Sequence, residues 1–158
     1  MTESTDVTLS RVMASEKDVL RRLLSDYLVE FAEMQGVAVT KGSDGFPAYR
    51  WFHDYWTDQT RIPFFITAHG KIAGLCLVRR LDKGWAIAEF GVTSRWRKQR
   101  VGTAAVELLA REASASGASS LLADVHDWNT AALAFWTSCG FNLLRETNGV
   151  IETERVVE

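Results

Sequence analysis

No charge of one sign dominates this sequence: 18 Lys and Arg stand against 20 Asp and Glu, a net charge of −2 over 158 residues. That counts against a general nucleic-acid binder, which needs a basic face. No apolar run approaches the ~20 residues of a membrane span. The opening MTESTDVTLS is polar and acidic, without the apolar centre of a secretory signal. Cysteine is scarce. Cys76 and Cys139 lie in apolar segments and make no metal-ligand spacing with His53, His69 or His126. Buried free thiols in a reducing cytoplasm are therefore expected, and no metal is. Neither G-x-G-x-x-G nor G-x-x-x-x-G-K-[ST] occurs, which removes the common nucleotide loops. With no repeat, linker or low-complexity tract, the chain is expected to form a single domain over residues 1–158.

What the sequence does contain is concentrated between Trp85 and Ala113, where an apolar strand meets a basic turn and then a helix. Beyond the turn, Val101, Ala105, Leu108 and Leu109 fall at i, i+4, i+7 and i+8, one apolar stripe. Glu107 and Arg111 sit at i, i+4 on the other side, and Gly117 can stop the helix. The first N–H groups of a helix lack partners within it, and the helix dipole is positive there. With Arg95, Arg97, Lys98 and Arg100 clustered ahead of it, this helix mouth suits one small polyanion.

The wording of the turn is more specific. Arg97-Lys98-Gln99-Arg100-Val101-Gly102-Thr103-Ala104, after a strand ending in Gly91-Val92, resembles the acyl-coenzyme A loop of the GNAT acetyltransferases, Arg/Gln-x-x-Gly-x-Gly/Ala. Arg97 matches its first position and Gly102 its last. Arg100 stands where a glycine is usual. It must take a conformation open to a residue with a Cβ, or widen the loop, and its guanidinium adds a contact for phosphate. A later segment, Asn129-x-x-Ala132-x-x-Phe135-Trp136-x-x-x-Gly140-Phe141, is similar to the family's Asn-x-x-Ala-x-x-Phe-Tyr-x-x-x-Gly-Phe.

The rest of the pattern agrees in order. Val7 to Met13 is expected to be a strand. Ser15 with Asp18 resembles a capping box for a helix to about Gly36, with Leu20, Leu24, Tyr27 or Leu28, and Phe31 on its apolar stripe. A short helix is expected from Ala48 to about Asp58, with Tyr49, Phe52 and Trp56 on one face and Trp51 and Tyr55 on another. That second face points to a pocket wall, a contact with a second copy, or packing. Strands follow at Ile62 to Ala68, Ile72 to Arg79 and Trp85 to Val92, then Ser120 to His126 beyond the central helix. Asn129 is a good N-cap, and Phe141 to Thr147 with Val150 to Val157 forms a hairpin around Asn148-Gly149. The resemblance implies an α/β, GNAT-like fold: a mixed, mostly antiparallel twisted sheet with a central parallel pair and helices on both faces.

Acetyl transfer from acetyl-coenzyme A to an amine, the activity the resemblance implies, needs a held pyrophosphate, an oriented carbonyl, a deprotonated amine and a stabilised leaving thiolate. The backbone amides of Gln99, Arg100, Val101, Gly102 and Thr103 are the expected pyrophosphate donors, with the Arg97, Lys98 and Arg100 side chains beside them. The resemblance implies that Phe90, Gly91 and Val92 pair with the pantetheine arm, and that Asn129 and Phe135 contact it from the other side. Glu89, the one charged residue from Trp85 to Val92, is the candidate general base, and burial should raise its pKa. Pairing with an arginine or exposure at a sheet edge explains it equally well. Many relatives have Tyr where Trp136 stands. An indole N–H does not titrate usefully, so Trp136 is expected to pack beside the thiol.

Trp51, Tyr55, Asp124 and His126 are candidate acceptor contacts. Glu30, Glu33, Asp54 and Asp58, on the two helices bordering that side, favour a small cationic amine, although solvated helix faces explain those carboxylates equally well. No nucleic acid, membrane or metal is expected. A non-catalytic acyl-coenzyme A or ligand-binding module with the same fold remains open because of Trp136, and another phosphate-binding α/β protein is the third alternative.

Overall fold

The stripe of Leu20 and Leu24 closes completely against the sheet in α1, Lys17–Gln35, in the computed structural model, which describes residues 6–157. The opening residues 1–5, on which part of the secretory-signal argument rests, lie outside them, as does Glu158. Burying each such leucine contributes about 1.5–3 kcal/mol. Gly36 ends the helix at φ 75°, a left-handed position that costs glycine nothing. The start differs from expectation. Ser15 does not cap it; the Met13 backbone N–H donates to Glu16 Oε1 at 3.0 Å, ahead of a single turn over Ala14–Glu16.

Ten elements follow one another: β1 (Val7–Arg11), α1, β2 (Arg61–Ala68), β3 (Lys71–Arg80), β4 (Gly84–Val92), α2 (Val101–Ala115), β5 (Ser120–His126), α3 (Thr130–Ser138), β6 (Asn142–Thr147) and β7 (Val150–Val156). The strands form one sheet in the order β1-β2-β3-β4-β5-β7-β6. All pairs are antiparallel except β4 with β5, the strands on either side of α2. Alternation along the strands divides the core between the two faces. Phe65, Leu75 and Leu77 meet α1 and the Phe52–Tyr55 segment on one face. Phe64, Cys76, Val78, Leu121 and Val125 meet α2 and α3 on the other.

The expected helix from Ala48 to Asp58 does not form. Only a single turn, His53–Trp56, is helical. Tertiary contacts hold the stretch instead. Arg21 donates to the Pro47 carbonyl at 2.8 Å and to Asp44 at 3.1 Å, and Trp56 Nε1 donates to the Val12 carbonyl at 3.0 Å. Phe52 and Tyr55 are buried together, so Tyr55 belongs to the core and not to a second face with Trp51, which is 42% exposed. Glu107 finds Arg155 on β7 through two hydrogen bonds of 2.6 and 3.0 Å, a longer-range pair than the one expected with Arg111.

Candidate active site

β4 changes partner halfway along its length. Against β3, Leu77 lies opposite Glu89 and Val78 opposite Ile87, so Ala88 is an extra residue, a β-bulge. Against β5, pairing runs only from Gly84–Ser120 to Ile87–Ala123 and then stops. Beyond the bulge the two strands part, and the β5-side edge of β4 from Ala88 to Val92 carries main-chain groups with no strand partner. Such an edge accepts an extended ligand as an added strand.

The gap opens into a cavity of about 650 Å³. Its walls are α1 on one side, the basic turn and the first residues of α2 at one end, and β5 with α3 on the other side. At the basic end, α2 begins at Val101 behind Arg100, whose side chain makes no capping hydrogen bond. Ala104 is the first residue whose N–H returns to Arg100 O, leaving the amides of Val101, Gly102 and Thr103 with no acceptor within the helix. Lys98 and Arg100 have φ of 60° and 65°, left-handed values that cost a side-chain-bearing residue about 1–3 kcal/mol. Arg100 therefore adopts the conformation usually supplied by glycine. Among the described residues no carboxylate pairs with Lys98 or Arg100. Gly102 lets the turn approach α3 closely, since a Cβ there would lie 3.2 Å from the Phe135 ring.

Glu89 stands at the other end of the open edge. Burial pushes its carboxyl above the ordinary carboxylate range, and hydrogen bonding to Tyr27 and Tyr49 offsets part of that rise. Tyr49 donates to Glu89 Oε2 at 3.1 Å. Across the gap on β5, Asp124 is also raised by burial and by Glu152, its register partner on β7. His126 stacks on Trp128 at 5.6 Å, and Phe31 tilts against both rings at 5.5–5.7 Å. A basic end, an open strand edge and a raised carboxylate form one continuous groove.

The profile of the Acetyltransferase (GNAT) family matches residues 20–141 of the sequence, most of the chain and the whole of this groove. The chain belongs to the GNAT acetyltransferase family. Solved structures share the fold at low identity. A GNAT-family acetyltransferase from Staphylococcus aureus superposes with a TM-score of 0.75 at 12% identity, covering 96% of this chain and 99% of that one. The ribosomal-protein-S18-alanine N-acetyltransferase of Escherichia coli does so at 0.67 and 20% identity, covering 96% and 94%. The PaiA N-acetyltransferase of Thermoplasma acidophilum, solved in complex with coenzyme A, gives 0.73 at 8% identity, covering 96% and 99%. None of the curated proteins matches the sequence. This is a GNAT-type acetyltransferase, and acyl transfer from acetyl-coenzyme A is typical of its family.

Within the GNAT fold, the expected residues gather unevenly. Phe90, Gly91, Val92, Arg97, Lys98 and Arg100 line the cavity, as do Val101, Gly102 and Thr103. Glu89, Asp124, His126, Asn129, Phe135 and Trp136 join them. Gln99 does not; its side chain donates to Arg95 O at 2.8 Å and holds the turn. Trp51 and Tyr55 are likewise outside the lining, and the Trp51 ring packs against Tyr49 with centroids 6.0 Å apart. Arg97 is already engaged: Nε donates to the Val92 carbonyl, and the two terminal nitrogens donate to Glu30, all at 2.7 Å. Asn129 caps α3, accepting from the Ala132 N–H at 3.2 Å. Trp136 is buried edge-to-face among Phe90, Phe135 and Phe141 at 5.0–5.1 Å.

In the sequence, α1 borders the acceptor side through Glu30 and Glu33, and its aromatic residues do not stand out. Tyr27 and Phe31 read as core residues because they continue the Leu20–Leu24 stripe. Both line the cavity, because the sheet beneath them has parted. Only the change from aliphatic to aromatic residues along that stripe marks the difference.

Proposed function

We propose that this chain, as one domain over residues 1–158, transfers the acetyl group of acetyl-coenzyme A to a primary amine of a small, cationic molecule or a peptide, by direct attack in a ternary complex. The observation that carries this is the open edge of β4, which joins the bare amides of α2 to the raised carboxylate of Glu89. The groove fits the co-substrate. The amides of Val101, Gly102 and Thr103, with Lys98 and Arg100 beside them, suit a diphosphate. The main-chain groups of Phe90 and Gly91 suit an extended amide-bearing arm, and the Val92 carbonyl is taken by Arg97. When bound, acetyl-coenzyme A supplies an activated thioester.

The chain supplies position, charge and a proton acceptor. Fixed N–H donors on β4 orient and polarise a carbonyl without reorganising. Glu89, held by Tyr49, takes the proton of the attacking amine, directly or through one water; its raised pKa brings it closer to neutrality, where a base works best. Asp124, with Phe31 and His126 beside it, favours a cationic acceptor at the end opposite Lys98 and Arg100, whereas the Glu30 carboxylate is taken by Arg97. Two free buried thiols support a reducing compartment, the cytoplasm. No described helix is long and apolar enough to cross a membrane. A second copy of the chain is a further partner, with exposed Trp51 the place for it.

Trp136 favours a second reading, a module that binds acyl-coenzyme A without turnover, because it carries no useful acid. Calorimetry with acetyl-coenzyme A and free-thiol release across an amine library separate the two. Binding with thiol release supports the enzyme, binding without release supports the module, and no binding removes both.

A further inference from the structure

The chain holds a tyrosine at the right place, on another helix. Tyr27 of α1 lines the same cavity as Glu89, Phe90 and Gly91. The edge of its ring lies so close to Gly91 that a Cβ there would stand 2.6 Å from Cδ1. Its hydroxyl faces the Glu89 carboxyl and the Phe90 backbone N–H, the main-chain segment suited to hold the thioester. The other side chains with N–H groups that line the cavity are placed for different tasks. Arg97 is bound to Glu30, Lys98 and Arg100 sit at the diphosphate end, and His126 is stacked into an aromatic cluster. Trp136 offers only an indole.

We propose that Tyr27 donates the proton that the leaving sulfur takes up, in a relay completed by Glu89. This rests on the acetyl-transfer function proposed above. As the new N–C bond forms, the nitrogen gives one proton to the Glu89 carboxylate. As the C–S bond breaks, its electron pair stays on sulfur and takes the Tyr27 hydroxyl proton. Glu89 then returns its own proton to the Tyr27 oxygen, so both residues end as they began. One proton has moved from nitrogen to sulfur, and no oxidant or further reactant is needed. The electrostatics set the order. Burial first, and the Glu89 charge second, hold the Tyr27 proton in place in the resting protein. Protonating Glu89 removes that second hold on the phenol proton, and burial, the larger one, stays in place until the sulfur takes the proton.

Three measurements on the full chain test this. Tyr27→Phe keeps the ring on Gly91 and is expected to lower kcat about 100-fold with an amine found by the library screen. Calorimetry of wild type is expected to favour coenzyme A over desulfo-coenzyme A about fivefold, and Tyr27→Phe to abolish that preference. Fluorotyrosines at position 27, which keep ring and hydroxyl while lowering the phenol pKa, are expected to change kcat in step with that pKa. A Tyr27→Phe enzyme within threefold of wild type overturns the proposal. So does a large loss of kcat with an unchanged preference for the thiol and no trend across the fluorotyrosines, the pattern of a residue that only positions Glu89. Should Tyr27→Phe fail to fold, the fluorotyrosine series decides. A wild type that binds coenzyme A and releases no thiol with any amine sinks the acetyl-transfer function, and the calorimetric preference still decides whether Tyr27 touches sulfur.

Discussion

Arg97 grips both carboxylate oxygens of Glu30, each at 2.7 Å, and so ties the basic turn to α1 across the mouth of the groove. The same guanidinium reaches the Val92 carbonyl, the last residue of β4. Three elements that enclose the groove therefore meet at one side chain.

Both members of that pair are more than two-fifths exposed, so solvent weakens it. Glu30→Gln is expected to lower stability by less than about 1 kcal/mol. It is nonetheless expected to raise the Kd for coenzyme A severalfold, because the turn loses its tie to α1. Chemical denaturation and calorimetry on the same variant check both. Arg97 holds the Glu30 carboxyl below its ordinary range, so the tie is intact at neutral pH and is lost only as pH falls through that lowered value.

Arg100 occupies a left-handed position, and its variants separate strain from charge. Arg100→Gly is expected to stabilise the fold by up to about 1 kcal/mol, the relieved strain exceeding the entropy glycine returns to the unfolded chain. Arg100→Ala keeps the strain and is expected to be neutral in stability. Both are expected to weaken coenzyme A binding by a similar factor, since both remove the guanidinium. Unequal affinities would show that the backbone, and not the charge, matters to the ligand.

Glu89→Gln is expected to cut kcat about 100-fold while leaving coenzyme A affinity within twofold. The wild-type rate is expected to fall as pH drops through the raised Glu89 value, an acid limb lying above the ordinary carboxylate range. The effect on stability has the opposite sense. The folded protein binds the Glu89 proton more tightly than the unfolded chain does. Its contribution is thus full below the unfolded value and declines as pH rises to the folded one. Denaturation midpoints across that window should show this slope in wild type and lose it in Glu89→Gln.

Gly74 stands opposite Val92 and Gly91 opposite Leu75 on β3 and β4, and these diagonal neighbours differ in what a methyl group would strike. At Gly74 a Cβ would sit 2.1 Å from the Gly91 carbonyl oxygen, rigid backbone. At Gly91 it would meet the Tyr27 ring, a side chain able to turn aside. Gly91→Ala is expected to cost about 1–3 kcal/mol and Gly74→Ala more than that. Thermal melts rank the two, and Gly91→Ala should also depress kcat by displacing Tyr27.

Trp136→Phe is expected to keep kcat within about threefold, because the indole supplies no titrating proton. Its cost falls on folding, about 1–3 kcal/mol for the smaller ring among Phe90, Phe135 and Phe141. A loss of several orders of magnitude in a folded variant would give the indole a chemical role.

The strand, basic turn and helix from Trp85 to Ala113 could be read from the sequence because each part is locally encoded: apolar alternation, clustered cations, a stripe at helical spacing. The cap of Asn129 and the turn at Asn148-Gly149 were legible for the same reason. The stretch from Ala48 to Asp58 was not, because its conformation is imposed by Arg21 and Val12 from elsewhere in the chain. The bulge at Ala88 carries no glycine or proline to announce it, and the parting of β4 from β5 depends on which strand pairs where. Tyr27 was hidden for that reason: periodicity tells which way it points, and only the open sheet makes that direction chemically useful.

Among the described residues, four rungs, Gly84–Ser120 through Ile87–Ala123, with the Ser119 N–H bonded to the Lys83 carbonyl at one end, fasten the β1–β4 plate to the β5–β7 plate. An extended molecule laid in the gap would lengthen that narrow seam, bonding one plate while leaning on the other. Stiffness and reactivity would then arrive in a single event, with the guest serving for a moment as part of the scaffold that acts on it.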